Sequence, residues 1–370
     1  MQRSIENLGS RVTAIATDLE SSITLASKFS APLIPLWQAS PTITKKLIGR
    51  FTGKSQSIWS AEPKRRLRKI IKKHPAEAIL IHFLDVAVEF SDVILEQQTR
   101  TAVCCHGSDF DWGLHDDLGN SLRDAESYRS KCLTLAPKLH LVANSNYTRS
   151  RLIAGGFSPE QISINHFGID LPPPSEQNRS NNTSGKILYL GRLVDFKGPT
   201  KLIEAFELAS KTGLNAELII AGDGPLRHSC ESLASSMSCR KAITFLGTVD
   251  RNTGARLRQE VDIFTAHNCT ASRSGRVETF GVSILEAMAD GLPVVTGESG
   301  GITDMITNGE NGLLFEPGDI HQHARLLCEL SNNPTLRTQL GTNAKSTVTR
   351  KFSVKQEVEG LTRIVQNLKQ

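Results

Sequence analysis

No run of 18 apolar residues occurs in the 370-residue chain, so its sequence offers no bilayer-spanning helix. Met1 to Ser10 is too poor in apolar length for a secretory h-region, and the expected location is the cytoplasm. Cysteine is sparse: seven residues, an odd number without CxxC spacing, fit reduced thiols rather than a disulfide framework. Adjacent Cys104 and Cys105 close an apolar run and read as core. In that compartment the Asn-x-Ser/Thr triplets at Asn146, Asn178, Asn181, Asn182 and Asn268 have no glycosylation meaning. No strand-like run is followed by GxGxxG, which argues against a nicotinamide-dependent dehydrogenase. No aromatics are interleaved with the basic residues of Lys64 to Lys73 and no nucleic-acid module is recognisable, so nucleic acid is not an expected partner.

What is present is a globular composition, 39% apolar and 22% charged, at a length that usually divides into two domains. Net charge is +5, but eleven of the basic side chains lie between Thr44 and Lys73 against Glu62 alone. Short apolar runs such as Ala78–Phe83, Thr101–Cys105, His140–Ser145, Lys186–Leu190, Ala216–Ala221 and Ile263–His267 alternate with helical stretches. Strands apolar on both faces and interleaved with helices predict an α/β chain with parallel, doubly wound sheets. Leu171 to Gly185 reads LPPPSEQNRSNNTSG and can neither form a helix nor bury surface, which places a linker at residues 172–185. The expected domains are therefore residues 1–171 and 186–353, with a final amphipathic helix in residues 354–370 long enough to cross back to the first.

The second half carries two sites. Lys186 to Gly198 reads KILYLGRLVDFKG: a buried strand, a glycine, then Arg192 and Lys197 around a turn. Ligands of open α/β sheets bind beyond the carboxyl ends of strands, and two cations there suit a polyphosphate, with a solvated loop as the alternative. Glu278 to Val295 reads ETFGVSILEAMADGLPVV, in which Gly281 opens a helix. The amides of Gly281, Val282 and Ser283 at its N-terminus would attract a phosphate. Glu278 and Glu286 could accept hydrogen bonds from sugar and ribose hydroxyls. The alternatives are a glycosidase carboxylate pair, or a capping Glu278 beside a surface Glu286 paired with Lys or Arg. AGDGPL, Ala221 to Leu226, is a glycine-rich turn of low specificity.

GRLVDFKG, AGDGPL, the E-x7-E pair and GENGLLFEPGD together resemble, in order, the carboxyl domain of retaining nucleotide-sugar glycosyltransferases of family four. The wording around the glycines is most similar to bacterial exopolysaccharide and lipopolysaccharide transferases. The resemblance implies the glycosyltransferase-B fold, two Rossmann-like domains facing a cleft. It implies that Arg192 and Lys197 neutralise the donor pyrophosphate and that Glu286 holds the ribose. Glu278 and the amides of Phe280, Gly281 and Val282 would hold the donor sugar and phosphate. The donor would be a UDP- or GDP-sugar and no metal cofactor would be obligatory.

In the first half HGSDFDWGLHDD, His106 to Asp117, follows a buried strand. A metal reading is open for its histidines and aspartates, but they are crowded and without fixed spacing. The family carries a histidine at this strand end facing the donor sugar, and His106 matches it, so the expected catalytic set is His106, Arg192, Lys197 and Glu278. Asp109 is open between an acceptor or sugar hydroxyl contact and a turn cap. The front departs from the family: SIENLGSRVTAIA resembles the end of a first helix and a second strand, so the amino domain is expected to lack its first strand and glycine-rich loop.

The expected function is therefore hexose transfer to a glycan or lipid-linked acceptor, with a truncated, non-catalytic sugar-nucleotide-binding or scaffold protein as alternative. KRRLRKIIKK, with Leu67, Ile70 and Ile71 at i, i+3 and i+4, reads as an amphipathic helix. Its cations Lys64, Arg65, Arg66, Arg68, Lys69, Lys72 and Lys73 are expected to meet an anionic membrane surface on the inner face of the cell membrane. A solvated helix on the domain surface is the alternative.

Overall fold

The computed structural model describes residues 14–16, 33–35, 61–73, 78–115, 120–171 and 185–368. Residues 172–184 of the expected linker, Asp116 and Asp117 of the histidine loop, and Lys45, Lys46, Arg50 and Lys54 of the basic segment lie outside these residues. So do residues 1–13, on which the expectation of a missing first strand rests. The chain divides into two compact units: residues 1–116, 120–168 and 354–370 form the first, and residues 117–119 and 169–353 the second.

The first unit contains β1 (Ala14–Ala16) and β2 (Leu33–Pro35), a parallel pair, and a separate parallel sheet. That sheet runs in chain order through β3 (Ile79–His82), β4 (Thr101–Cys105), β5 (Leu139–Ala143) and β6 (Ile162–Ile164). Because alternate residues of a strand face opposite ways, β4 serves two layers. Val103 and Cys105 join the core built with Leu84, Leu141 and Leu152. Ala102 and Cys104 pack instead with Val142 and with Leu361 of the helix Val354–Asn367. That amphipathic helix thus covers the second face of the first unit's sheet.

The basic segment forms the helix Ala61–Lys73, but Leu67, Ile70 and Ile71 pack against the domain core, so this stripe is not available for insertion into lipid. Two of its cations are also engaged. Arg68 bonds Glu96 at 2.7 and 2.8 Å and Asp92 at 2.8 Å, and Lys64 lies 3.1 Å from Asp92. The expectation of seven membrane-facing cations is corrected accordingly: Lys64 and Arg68 serve intradomain pairs.

The second unit holds β7 (Lys186–Leu190), β8 (Glu217–Ala221), β9 (Ile243–Gly247), β10 (Ile263–Ala266), β11 (Val294–Gly297) and β12 (Leu313–Phe315). All are parallel, in the order β9-β8-β7-β10-β11-β12. This is the doubly wound order in which successive crossovers run outward from the centre in both directions. The direction reverses between β7 and β10, the point beyond whose strand ends open sheets of this kind bind their ligands. Tyr189, Phe206, Ile220 and Leu327 lie in its core. Truncating a fully buried ring such as Phe206 to alanine would cost about 3 to 5 kcal/mol.

Candidate functional site

Four loops leave the carboxyl ends of β8, β7, β10 and β11 and touch backbone to backbone. A Cβ on Gly222 would stand 1.9 Å from the Gly191 oxygen, and one on Gly224 2.6 Å from the Leu193 oxygen. This is why the AGDGPL turn carries glycines at φ 143° and 159°. Gly198, left-handed at φ 55°, leaves no room for a side chain: its Cβ would meet the His267 oxygen at 2.1 Å. Likewise Gly300, at φ 57°, abuts the Glu278 oxygen, which accepts from the Gly301 amide at 2.9 Å. Glycine is required at such approaches because any Cβ would separate the chains. The result is a continuous backbone floor across the point where strand order reverses.

On this floor the structure brings Lys197, from the loop after β7, within 2.5 Å of Glu278, from the loop after β10. The ion pair therefore bridges the reversal point itself. Burial works against charge on Glu278, yet the Lys197 ammonium and its hydrogen bond outweigh it and hold the carboxyl below its ordinary value. Arg192 is exposed nearby, and its charge contributes to the same depression. The helix Val282–Ala289 begins beside this pair at Gly281, left-handed at φ 99°. Its first amides have no carbonyl a turn earlier within the helix and leave a partial positive charge at that end. Val282 is exposed, whereas the Phe280 ring is buried and meets Phe352 edge-on at 6.2 Å. Phe280 can thus offer a ligand only its backbone, and its amide already leans toward Glu278 Oε1 at 3.4 Å.

Glu286 stands apart from this charge pair. Arg258 donates to it at 2.9 Å and to Asp290 at 2.6 Å, so Glu286 is a half-exposed carboxylate held by a buried guanidinium. This is the arginine pairing that the sequence left as an alternative for Glu286. It also leaves Glu278 and Glu286 bound to different cations, which does not fit two carboxylates sharing one scissile bond. Sequence reasoning missed Arg258, which no local pattern connects to a helix 28 residues further on.

In the first unit His106 follows β4, and its ring lies 3.0 Å from the His82 ring, nitrogen to nitrogen. Burial pulls the His106 imidazole down to about 4 and that of His82 to about 3, so both are neutral at neutral pH. Asp109 is fully buried. Its Oδ1 accepts from the amides of His106 at 2.9 Å and Gly107 at 2.7 Å, and its Oδ2 from Leu84 at 3.0 Å. Of the two readings left open for Asp109, the geometry is that of the cap and not of the acceptor or sugar contact: its oxygens clamp the loops after β3 and β4. Burial raises the Asp109 carboxyl despite those three amides. Arg123 wraps the same loop, donating to the carbonyls of Trp112 at 3.0 Å, Ser108 at 2.9 Å and Asp111 at 2.5 Å. No group of three or more His, Cys, Asp or Glu side chains that could hold a metal ion occurs among the described residues.

A doubly wound domain with paired charges and a helix N-terminus at its reversal point is the architecture of a nucleotide-binding domain. Residues 174–347 match the glycosyl transferases group 1 family, which the chain resembles through this domain. The chain is 29% identical over 278 residues to a Corynebacterium glutamicum enzyme, a GDP-mannose-dependent monoacylated alpha-(1-6)-phosphatidylinositol monomannoside mannosyltransferase. That match takes in 73% of this chain and 70% of the enzyme. It is 28% identical to the capsular polysaccharide biosynthesis glycosyltransferase CapM of Staphylococcus aureus, over 58% of this chain and 55% of that one. Other curated relatives are spanned over 47 to 62% of their own length. Among solved structures, Anabaena Alr3699/HepE in complex with UDP superposes with a TM-score of 0.74 at 17% identity, over 99% of this chain and 94% of that one. At that identity the likeness concerns the fold: two parallel-sheet domains of the glycosyltransferase-B type.

Proposed function

We propose that the chain transfers a hexose from a UDP- or GDP-linked sugar to a glycan or lipid-linked acceptor, with retention of configuration, in the synthesis of cell-envelope polysaccharide. The observation that carries this reading is the Lys197–Glu278 pair bridging the reversal point beside the N-terminus at Gly281. Arg192 and Lys197 take the pyrophosphate, Glu286 the ribose, and Glu278 with the amides of Phe280, Gly281 and Val282 the sugar and its phosphate. His106 keeps the role that the resemblance gave it, facing the donor sugar. The bond from the anomeric carbon to the diphosphate oxygen breaks as the acceptor hydroxyl attacks from the same face. The departing diphosphate takes the hydroxyl proton. The chain supplies position and positive charge where negative charge develops, and no metal is assigned a part. The mannosyltransferase and the capsular enzyme above support the substrate class.

Membrane association rests on a reduced set: exposed Arg65, Lys69, Lys72 and Lys73 with half-buried Arg66. Near an anionic surface each contributes about 1 kcal/mol. Replacing the four exposed residues with Gln should release the full chain from phosphatidylserine vesicles; unchanged co-sedimentation would end this part of the proposal. For the reaction, UDP-glucose, UDP-N-acetylglucosamine and GDP-mannose should be screened for thermal stabilisation and then for hydrolysis. Stabilisation followed by turnover supports the enzyme, and stabilisation alone favours a non-catalytic sugar-nucleotide-binding protein. No response to any nucleotide sugar contradicts both.

A further inference from the structure

His82 and His106 sit at neighbouring strand ends, His82 being paired in register with Cys104. Their rings stack at 5.2 Å and 21°. Phe167 stacks on His106 at 5.3 Å and 8°, and the Phe83 ring lies 4.3 Å away, tilted. Stacking sets the plane of the His106 ring but does not distinguish it from the ring turned by 180° about Cβ–Cγ. The 3.0 Å contact between His82 Nδ1 and His106 Nε2 does, because the turned ring would place a carbon there. Two neutral imidazoles can share such a contact only if one donates and the other accepts, so it ties the tautomer of each ring to that of the other; because His82 Nε2 is buried without a partner, a proton on it would be orphaned, which favours His82 Nδ1 as the donor.

The backbone here is built for this contact. Phe83, next to His82, adopts φ 76°, uncommon for a residue with a side chain, and is held by its amide on the Cys104 oxygen at 2.9 Å. Asp109 ties the His106 and Leu84 amides to one carboxylate, so both histidines belong to one clamped corner. A histidine serving only to fill space would be a poor choice at position 82. Its Nε2 is buried without a partner, facing a small pocket that Asn144, Asn165, Phe167 and Glu357 also line. An apolar side chain would avoid that unpaired nitrogen. What the imidazole adds is its Nδ1, directed at His106.

We infer that His82 is a positioning residue: through Nδ1 it locks the orientation and tautomer of the His106 ring. The inference rests on the proposed role of His106 but has a readout independent of it. In the full chain with ¹⁵N-labelled histidine, and His106 assigned through His106→Gln, the His106 ring should show one protonated and one unprotonated nitrogen. The wild-type protein should also show a scalar coupling between the two nitrogens across their hydrogen bond. In His82→Leu the two His106 signals should converge toward a tautomer average, and His82→Asn, which keeps a polar group near Nδ1, should restore them. An unchanged His106 tautomer in His82→Leu, or no coupling in the wild type, would overturn the inference without reference to turnover.

With the nucleotide sugar that the screen identifies, kcat of His82→Leu should fall about 10- to 100-fold, the scale of a misplaced reacting group, with donor KM little changed. His82→Asn should recover most of it. A loss carried by KM, or no recovery in His82→Asn, would point to a structural role instead. Absence of turnover in the wild type would remove the proposed reaction and leave the tautomer result standing.

Discussion

Each unit buries a pair of histidines 3.0 Å apart, and the two pairs are wired differently. In the second unit the Gly318 amide donates to His267 Nε2, so the proton of that ring sits on Nδ1 and goes to His323 Nδ1. The His323 proton is then on Nε2 and goes to Thr265, whose hydroxyl donates to the Val295 oxygen. Every ring nitrogen is used and every direction follows from one backbone amide. In the first unit the chain does not close, because His82 Nε2 is buried without a partner. A closed network of neutral groups braces a fold. An open one retains hydrogen-bonding capacity, and it lies beside His106.

The largest expected effect follows from opening the closed network. His323→Leu orphans the Nδ1 proton of His267 and removes the partner of Thr265, costing about 3 to 5 kcal/mol in urea unfolding at pH 7.5. His82→Leu removes the hydrogen bond to His106 but also an unpaired buried nitrogen, so the two partly offset and it should cost less, about 1 kcal/mol. Equal losses would erase the distinction between brace and site. Next in size, Lys197→Ala or Arg192→Ala should lower transition-state stabilisation by about 2 to 4 kcal/mol in kcat/KM, the value of one preorganised donor. Unlike His323→Leu, Arg192→Ala, at an exposed position, should not shift the melting temperature by more than a few degrees. Near-normal turnover in Lys197→Ala or Arg192→Ala would remove these charges from the site.

A smaller effect concerns the floor that the brace supports. Gly198→Ala places a Cβ against the His267 oxygen in left-handed backbone and should destabilise by about 1 to 3 kcal/mol. Full stability would mean that the two loops are not in contact. A further effect, shared among the four histidines, is graded with pH. Burial holds His82 and His267 at about 3 and His106 at about 4, and it lowers His323 as well, whereas an unfolded chain titrates near 6.5. The unfolded state therefore binds protons that the native state refuses. Stability is complete above about pH 6.5 and declines as pH falls toward 5, before the carboxylates titrate. A flat denaturant midpoint between pH 7 and pH 5 would contradict neutral buried pairs.

The sheets were legible because their strands are apolar on both faces, as in Thr101–Cys105 and Lys186–Leu190, which appear at those bounds. Leu33–Pro35 was not, since three residues ending in proline carry no period. The charged residues of the second unit's site were legible because each belongs to a local motif beside a glycine that the backbone requires. Arg258 and the His267–His323 pair were not, since their partners lie 28 and 56 residues away and meet only through packing. Asp109 illustrates a different limit. A carboxylate in a loop reads alike whether it faces hydroxyls or backbone amides, and only its complete burial decides between them. The stripe on the basic helix shows a related limit: an apolar face tells that something covers it, not whether the cover is lipid or, as here, the domain itself.

The central claim is that the charges bridging the reversal point form a diphosphate site, and calorimetric titration of the full chain with UDP and with GDP tests it most directly. We expect one nucleotide to bind at one equivalent, with Lys197→Ala and Arg192→Ala each weakening it by at least about tenfold, the loss of one charge-assisted hydrogen bond. Binding of neither nucleotide, or an affinity indifferent to both substitutions, would contradict the account.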